Sequence, residues 1–205
     1  MLFRSQGSNT GGDWQFEDGR NIVRKTYDVT VEKIVIPSTV KRIGVNSFAY
    51  FYDLKEVVVE GNGTLNIIDN YAFYHCSNMT KFDASNCSLG IGHEAFYDCW
   101  NLKEFNYKEF TALGRSAFYV SSSGDLEIEI KLSENITQID GSAFNHQEKS
   151  TGNLTIPGTV ESIGNYAFCD CKGIDGTITI ESGVTTIGKS AFSGCTNAYK
   201  VIVPN

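Results

Sequence analysis

The chain has 205 residues, of which 41% are hydrophobic and 12% aromatic, with only 3 prolines and 6 cysteines. A net charge of -7 and an isoelectric point near 5.0 argue against nucleic acid as a partner, because phosphate binding needs clustered lysine and arginine. No apolar run approaches the roughly 18 residues that a membrane-spanning helix needs, so membrane insertion is not expected.

Taken in chain order, residues 1–13 are rich in Gly, Ser and Asn and read as a disordered or artefactual N-terminus. Leu2-Phe3-Arg4-Ser5 matches one reading frame of a common sequencing-adaptor end, and no signal peptide is visible. Residues 14–31 do not share the pattern that follows. Their Asp18-Gly19 pair lies between apolar stretches, which is a hairpin signal, and they read as an N-terminal cap over the open end of the fold.

Residues 32–205 carry a six-residue phrase seven times: an aliphatic, Gly or Asp, two variable residues, a small residue and Phe. It reads Ile43-Gly44-Val45-Asn46-Ser47-Phe48 in the first copy and Ile163-Gly164-Asn165-Tyr166-Ala167-Phe168 in the sixth. Its aromatic residues, Phe48, Phe73, Phe96, Phe118, Phe144, Phe168 and Phe192, are 25, 23, 22, 26, 24 and 24 positions apart. Self-similarity at a period of about 20 to 50 marks a stacked-repeat solenoid, here seven repeats and the start of an eighth. The phenylalanines read as one structural core, since no unit of this length can bury its own ring.

Before most copies of the phrase stand two apolar residues at alternate positions, from Ile34 and Ile36 through Val57 and Val59 to Ile178 and Ile180. Such period-two alternation predicts a short strand with one buried face. Pro37 and Pro157 directly follow two of these strands, and Pro204 follows Val201-Ile202-Val203, the strand of the eighth copy. The chain stops there and reads as cut at both ends.

Inside the phrase, the aliphatic, the small residue and the position three after Phe fall at i, i+4 and i+8, which predicts one face of a short helix or helical turn. The expected class is α/β, one parallel β-sheet of short strands with short helices or turns opposite. Asp69 and Asp140 replace the phrase glycine and read as helix N-caps, while the glycines read as turn residues.

The candidates for chemistry are sparse. Cys76, Cys99, Cys171 and Cys195 share one inward repeat column and read as buried free thiols. Cys169-Asp170-Cys171 has no partner pair at zinc spacing, so no metal is expected. His75, His93 and His146 fall at variable positions and form no triad, so they read as surface residues. Tyr74, Tyr97 and Tyr119 directly follow successive phenylalanines and either pack between rungs, the favoured reading, or offer a contact surface. No catalytic residue or cofactor is expected, and the chain reads as a monomer.

The run from Leu154-Thr155-Ile156-Pro157-Gly158-Thr159-Val160 through Ala167-Phe168-Cys169-Asp170-Cys171 closely resembles the BspA-type leucine-rich repeat, and the likeness covers about residues 30–205. The fourth and fifth copies depart from it, with Ser121-Ser122-Ser123-Gly124 and residues 145–152 in place of the Cys and cap. The resemblance implies a leucine-rich repeat solenoid, a right-handed β-α superhelix. It also implies a cell-surface or secreted product of bacteria or protists engaged in adhesion. The binding face of such a horseshoe is the exposed side of its strands, here Val35, Val58, Asp83, Asn106, Lys131, Thr155 and Thr179. A protein or extracellular-matrix ligand is the implied partner. A structural spacer or stalk presenting another domain is the alternative, and a hydrolase is a distant third.

Overall fold

A computed structural model describes residues 15–17, 21–23, 30–61, 63–121, 126, 128–149 and 152–204. Gln15–Glu17 (β1) and Asn21–Val23 (β2) pair antiparallel, with Phe16 opposite Ile22. Residues 1–13 and the remainder of the expected cap lie outside the described residues, except for 30 and 31.

The first half of the repeats contributes Lys33–Ile36 (β3), Arg42–Ile43 (β4), Glu56–Val59 (β5), Ile67–Ile68 (β6), Lys81–Asp83 (β7), Ser88–Ile91 (β8), Glu104–Asn106 (β9) and Glu109–Leu113 (β10). The second contributes Gln138–Ile139 (β11), Leu154–Ile156 (β12), Ser162–Ile163 (β13), Thr177–Ile180 (β14), Thr186–Ile187 (β15) and Lys200–Ile202 (β16). They stack as a parallel-strand solenoid of about seven turns. Pro37 and Pro157 directly follow β3 and β12, and the eighth-copy strand is present as β16.

Two faces of the solenoid are sheets, where one was expected. The alternating apolar pairs form β3-β5-β7-β9 and β12-β14-β16. The phrase aliphatics, read in the sequence as helical, form a second, seven-stranded sheet in the order β4-β6-β8-β10-β11-β13-β15. Strands of two residues carry no period-two signal of their own. They exist because the rung below and the rung above supply their hydrogen-bond partners.

The first face is divided at the fifth copy, and on the side facing β9 the Tyr107 side chain takes the place of a strand ladder. Its phenolic oxygen donates to Glu129 O and accepts from Lys131 N–H, both at 2.8 Å, so a side chain stands where a strand ladder would run. Burial pushes this phenol up from its ordinary range. Leu132 pairs instead with Phe110 of β10.

Among the described residues there is no α-helix, and the phrase folds as two successive turns. The fourth phrase residue has positive φ in all seven copies, from Asn46 at 56° to Ser190 at 54°, and the residue two after Phe repeats this at Tyr50, His75, Asp98, His146, Asp170 and Gly194. A left-handed residue every four positions forbids a helix. The backbone bonds show what replaces it. Ser47 and Ala49 donate back to Gly44 O and Asn46 O at 3.3 Å, while Asn46, Phe48 and Tyr50 donate to Asn70, Ala72 and Tyr74 of the next rung at 3.2, 2.8 and 2.7 Å. Alternate amides therefore close a local turn and a rung-to-rung ladder, and every second donor finds its partner in the neighbouring repeat.

The phrase glycines answer to that ladder more than to turn conformation. An alanine Cβ at Gly164 would lie 2.4 Å from Gly141 N and 2.6 Å from Asp140 C, which are backbone atoms of the rung below. Gly164→Ala is therefore expected to destabilise the protein by about 1 to 3 kcal/mol through forced rung separation, and urea unfolding of wild type and variant with equal midpoints would refute this. Asp69 occupies the same column without capping a helix. Its carboxylate takes the Arg42 guanidinium of the preceding rung at 2.5 and 2.7 Å. Asp140 accepts from Gln138, two residues before it.

Inside, the phenylalanine rings form one column. Successive centroids from Phe48 to Phe192 are 5.2, 5.2, 5.2, 5.3, 5.6 and 5.3 Å apart with nearly parallel planes. Phe73, Phe96, Phe118, Phe144 and Phe168 are fully buried, Phe48 is buried and Phe192, in the last rung, is half-buried. Leu54, Met79, Leu102 and Ile174, which follow the turns, are buried beside them.

All six cysteines are free. The repeat column of four does more than fill space: Cys76, Cys99, Cys171 and Cys195 donate Sγ–H to the carbonyls of Phe48, Phe73, Phe144 and Phe168 of the preceding rung at 3.1, 3.1, 3.0 and 3.1 Å. Gln147 replaces Cys in the fifth copy and performs the same task, its buried Nε2–H donating to Phe118 O. In the fourth copy Ser121 turns to Asp98 and the second turn is lost.

Candidate functional site

The register places Val35, Val58, Asp83 and Asn106 in one outward line across β3, β5, β7 and β9. Thr155 and Thr179 form a second line on β12 and β14, continued by Ile202 of β16. Lys131 lies between these groups in neither sheet, exposed and held 3.0 Å from Glu129. The seven candidate residues are thus two patches and a bridge.

The flanking column alternates in sign, Lys33, Glu56, Lys81 and Glu104, on four consecutive rungs. Lys33 Nζ is 2.8 Å from Glu56 and Lys81 Nζ 3.4 Å from Glu104. The Glu104 carboxylate holds the Lys81 ammonium above its usual range. Exposed pairs of this kind contribute little stability. Their larger effect is to cancel the charge of the face, so long-range steering of a charged partner is weak here. Asp83 is also turned inward to its own loop, accepting from Ser85 Oγ–H at 2.6 Å.

On the turn edge the tyrosines after Phe stack in register: Tyr74 on Tyr97 at 5.2 Å and Tyr97 on Tyr119 at 5.0 Å, with interplanar angles of 25° and 22°. They pack between rungs while remaining half-exposed. Burial, the largest cause, and nearby Glu94 and Asp98 raise the Tyr74 and Tyr97 phenols.

The histidines are less isolated than the sequence suggested. His75, His93 and His146 place Nδ1 3.8, 3.8 and 4.0 Å from Asp98, Asp140 and Asp170. Ser121 Oγ–H donates to Asp98 at 3.1 Å, which brings Ser, Asp and His together in the wrong order. The carboxylate sits between hydroxyl and imidazole, so the imidazole does not reach the hydroxyl as it does in a Ser-His-Asp triad. Two of these pairs, His75 with Asp98 and His146 with Asp170, needed the rung register to be visible, because His and Asp stand at one repeat position in successive copies; His93 and Asp140 come from different positions two rungs apart.

A depression of about 300 Å³ on the seven-stranded sheet is lined by Asn70, His93, Thr111, Ala112, Gln138 and Asp140, among others. It opens where β10 shifts register against β8 between Phe110 and Ala112. His93 Nδ1 already accepts from Arg115 N–H at 2.8 Å, which leaves Nε2 as the ring's donor and no free base. Among the described residues no cluster of three or more His, Cys, Asp or Glu could hold a metal ion.

Comparison with known proteins agrees with this geometry. The structure is similar to the leucine-rich repeat protein TpLRR of T. pallidum, with 18% identity, a TM-score of 0.54, and coverage of 93% of this chain and 78% of that one. It is also similar to a leucine-rich cell surface protein of Faecalibacterium prausnitzii (16%, 0.47, covering 86% and 62%) and to the pneumococcal vaccine antigen PcpA (18%, 0.43, covering 85% and 51%). The chain thus spans less than two thirds of the length of the last two. No curated protein matches it in sequence. Residues 25–151 and 137–205 match the family described as BspA type leucine rich repeat region, in six copies. With the period, the parallel rungs and nearly the whole chain in agreement, this protein belongs to the BspA-type leucine-rich repeat family.

Proposed function

We propose that the chain is a non-enzymatic binding or adhesion module of a cell-surface or secreted protein, using the strand face around Val35, Val58, Asp83, Asn106, Lys131, Thr155 and Thr179. The observation that carries this reading is the outward line Val35-Val58-Asp83-Asn106, flanked by a charge-cancelling column. Such a flat, mixed face suits a broad protein or extracellular-matrix surface, where shape and a few polar contacts set affinity. Family membership supports a surface location.

Alanine at Asp83, Asn106 and Lys131 is expected to weaken capture on immobilised fibronectin, collagen or laminin by about fivefold per central contact. Thermal melting controls for the Ser85 bond that Asp83→Ala removes. Unchanged capture by all three variants would place binding elsewhere or favour the spacer reading.

A further inference from the structure

The geometry points to a second contact surface, on the N-terminal half of the turn edge: Tyr50, Tyr52, Tyr71, Tyr74 and Glu94 form a docking site for an arginine- or lysine-bearing segment of a partner protein. It lies away from the strand face, so neither surface requires the other.

The fold does not need these rings. At the position after Phe, where Tyr74, Tyr97 and Tyr119 stand, the other copies use Ala49, Asn145, Cys169 and Ser193. Tyr50 and Tyr71 occupy left-handed backbone, with φ of 62° and 59°, where Asn or Gly costs less than a bulky ring. They are nonetheless 48% and 36% exposed, and Tyr52 is 53% exposed. Burial in the core therefore does not account for their choice.

The patch is continuous. Tyr50 lies 5.4 Å from Tyr74 and 6.1 Å from Tyr52, and Tyr71 lies 5.7 Å from Tyr74. Tyr50 is also stacked on His75 at 5.7 Å and 11°. Pre-ordered tyrosines lose little side-chain entropy on binding and are enriched at protein interfaces.

The protein itself displays the ligand chemistry. Tyr166 occupies the same repeat position as Tyr71, and Lys189 of the next rung sets its ammonium 5.9 Å from the Tyr166 ring centroid. In the corresponding place beside Tyr71 stands His93, whose Nδ1 is already committed to Arg115 N–H. No cation covers the Tyr71 ring among the described residues. Glu94 follows Tyr71 in the same column one rung on, both donating their amides to the next rung at 2.9 Å, and it has no ion-pair partner among the described residues. A guanidinium laid on Tyr71 would meet the Glu94 carboxylate, combining ring stacking with a charge-assisted bond. The chain's net charge of -7 favours the approach of such a segment.

The test is a calorimetric titration of the 205-residue chain with short Arg-Gly, Lys-Gly and Glu-Gly repeat peptides and with a neutral β-linked glucose oligosaccharide. The Arg-Gly peptide is expected to bind, Lys-Gly more weakly and the other two not at all. Tyr50→Asn and Tyr71→Asn suit the left-handed backbone and keep the fold, so a loss of about fivefold in each and about 25-fold in the pair reports on contact alone. Glu94→Gln is expected to weaken binding several-fold and to flatten its salt dependence, while Asp83→Ala leaves it unchanged. Equal binding of the Glu-Gly peptide, preference for the oligosaccharide, or undiminished binding by the double Asn variant would overturn the proposal.

Discussion

Phe96→Ala is expected to destabilise the protein by about 3 to 5 kcal/mol, more than any other single truncation along the ring column except its immediate neighbours. Phe96 is stacked on Phe73 and Phe118, both at 5.2 Å, and meets Phe82 and Phe105 edge-on at 5.3 and 5.1 Å. Removing the ring leaves four aromatic partners around a void in the middle of the stack. Rungs above and below are held by shared ladders, so collapse into that space is limited. Phe192 supplies the control. It is half-buried with one stacked partner, Phe168 at 5.3 Å, and Phe192→Ala is expected to cost only about 1 to 2 kcal/mol on the burial it loses. Urea unfolding monitored by far-ultraviolet circular dichroism measures both. Equal losses would mean that the column is not the continuous core described above.

The second large effect is alkaline. Cys76 is pushed up from 9.0 to about 12 by burial, and Cys99 and Cys171, enclosed completely, are pushed well above their ordinary value for the same reason. Below pH 9 the thiols are protonated in both folded and unfolded chains, and their contribution is fully present. As pH rises past 9 the unfolded chain ionises first and is favoured. By pH 11 the Cys76 thiol alone weakens folding by about 2 to 3 kcal/mol, and Cys99 and Cys171 act in the same direction. The urea midpoint is therefore expected to fall steeply between pH 9 and 11. Cys99→Ala should reduce that slope by about one proton. A flat profile over this interval would show that the thiols are not enclosed.

The repeat period and the inward-facing phenylalanines were legible because each is local or strictly periodic. So were the strands ended by Pro37 and Pro157, since a proline stops a ladder whatever surrounds it. The turn edge was not. Spacing of i, i+4 and i+8 is satisfied equally by a helix and by two four-residue turns in series, and bulky Tyr50, Tyr71 and Tyr166 at left-handed positions conceal the signal that Asn46 and Gly194 carry. The seven-stranded sheet was hidden for a related reason, because strands as short as Arg42–Ile43 have no pattern without their neighbours.

The candidate face was legible as a set of outward positions but not as a surface. Val35, Val58, Asp83 and Asn106 align as the alternation implied, whereas the break at Lys131 depends on where the Tyr107 hydroxyl lands twenty-odd residues later, at Glu129 and Lys131. Cancellation of Lys33, Glu56, Lys81 and Glu104 likewise needs the rung register. By itself the sequence determined that this chain is a solenoid with a particular period, and which residues point inward, because burial follows from hydrophobic spacing alone. Only the tertiary structure decided that the six-residue phrase is a pair of turns and a strand. Half of its amides find their acceptors in the next rung, and no single repeat contains that information.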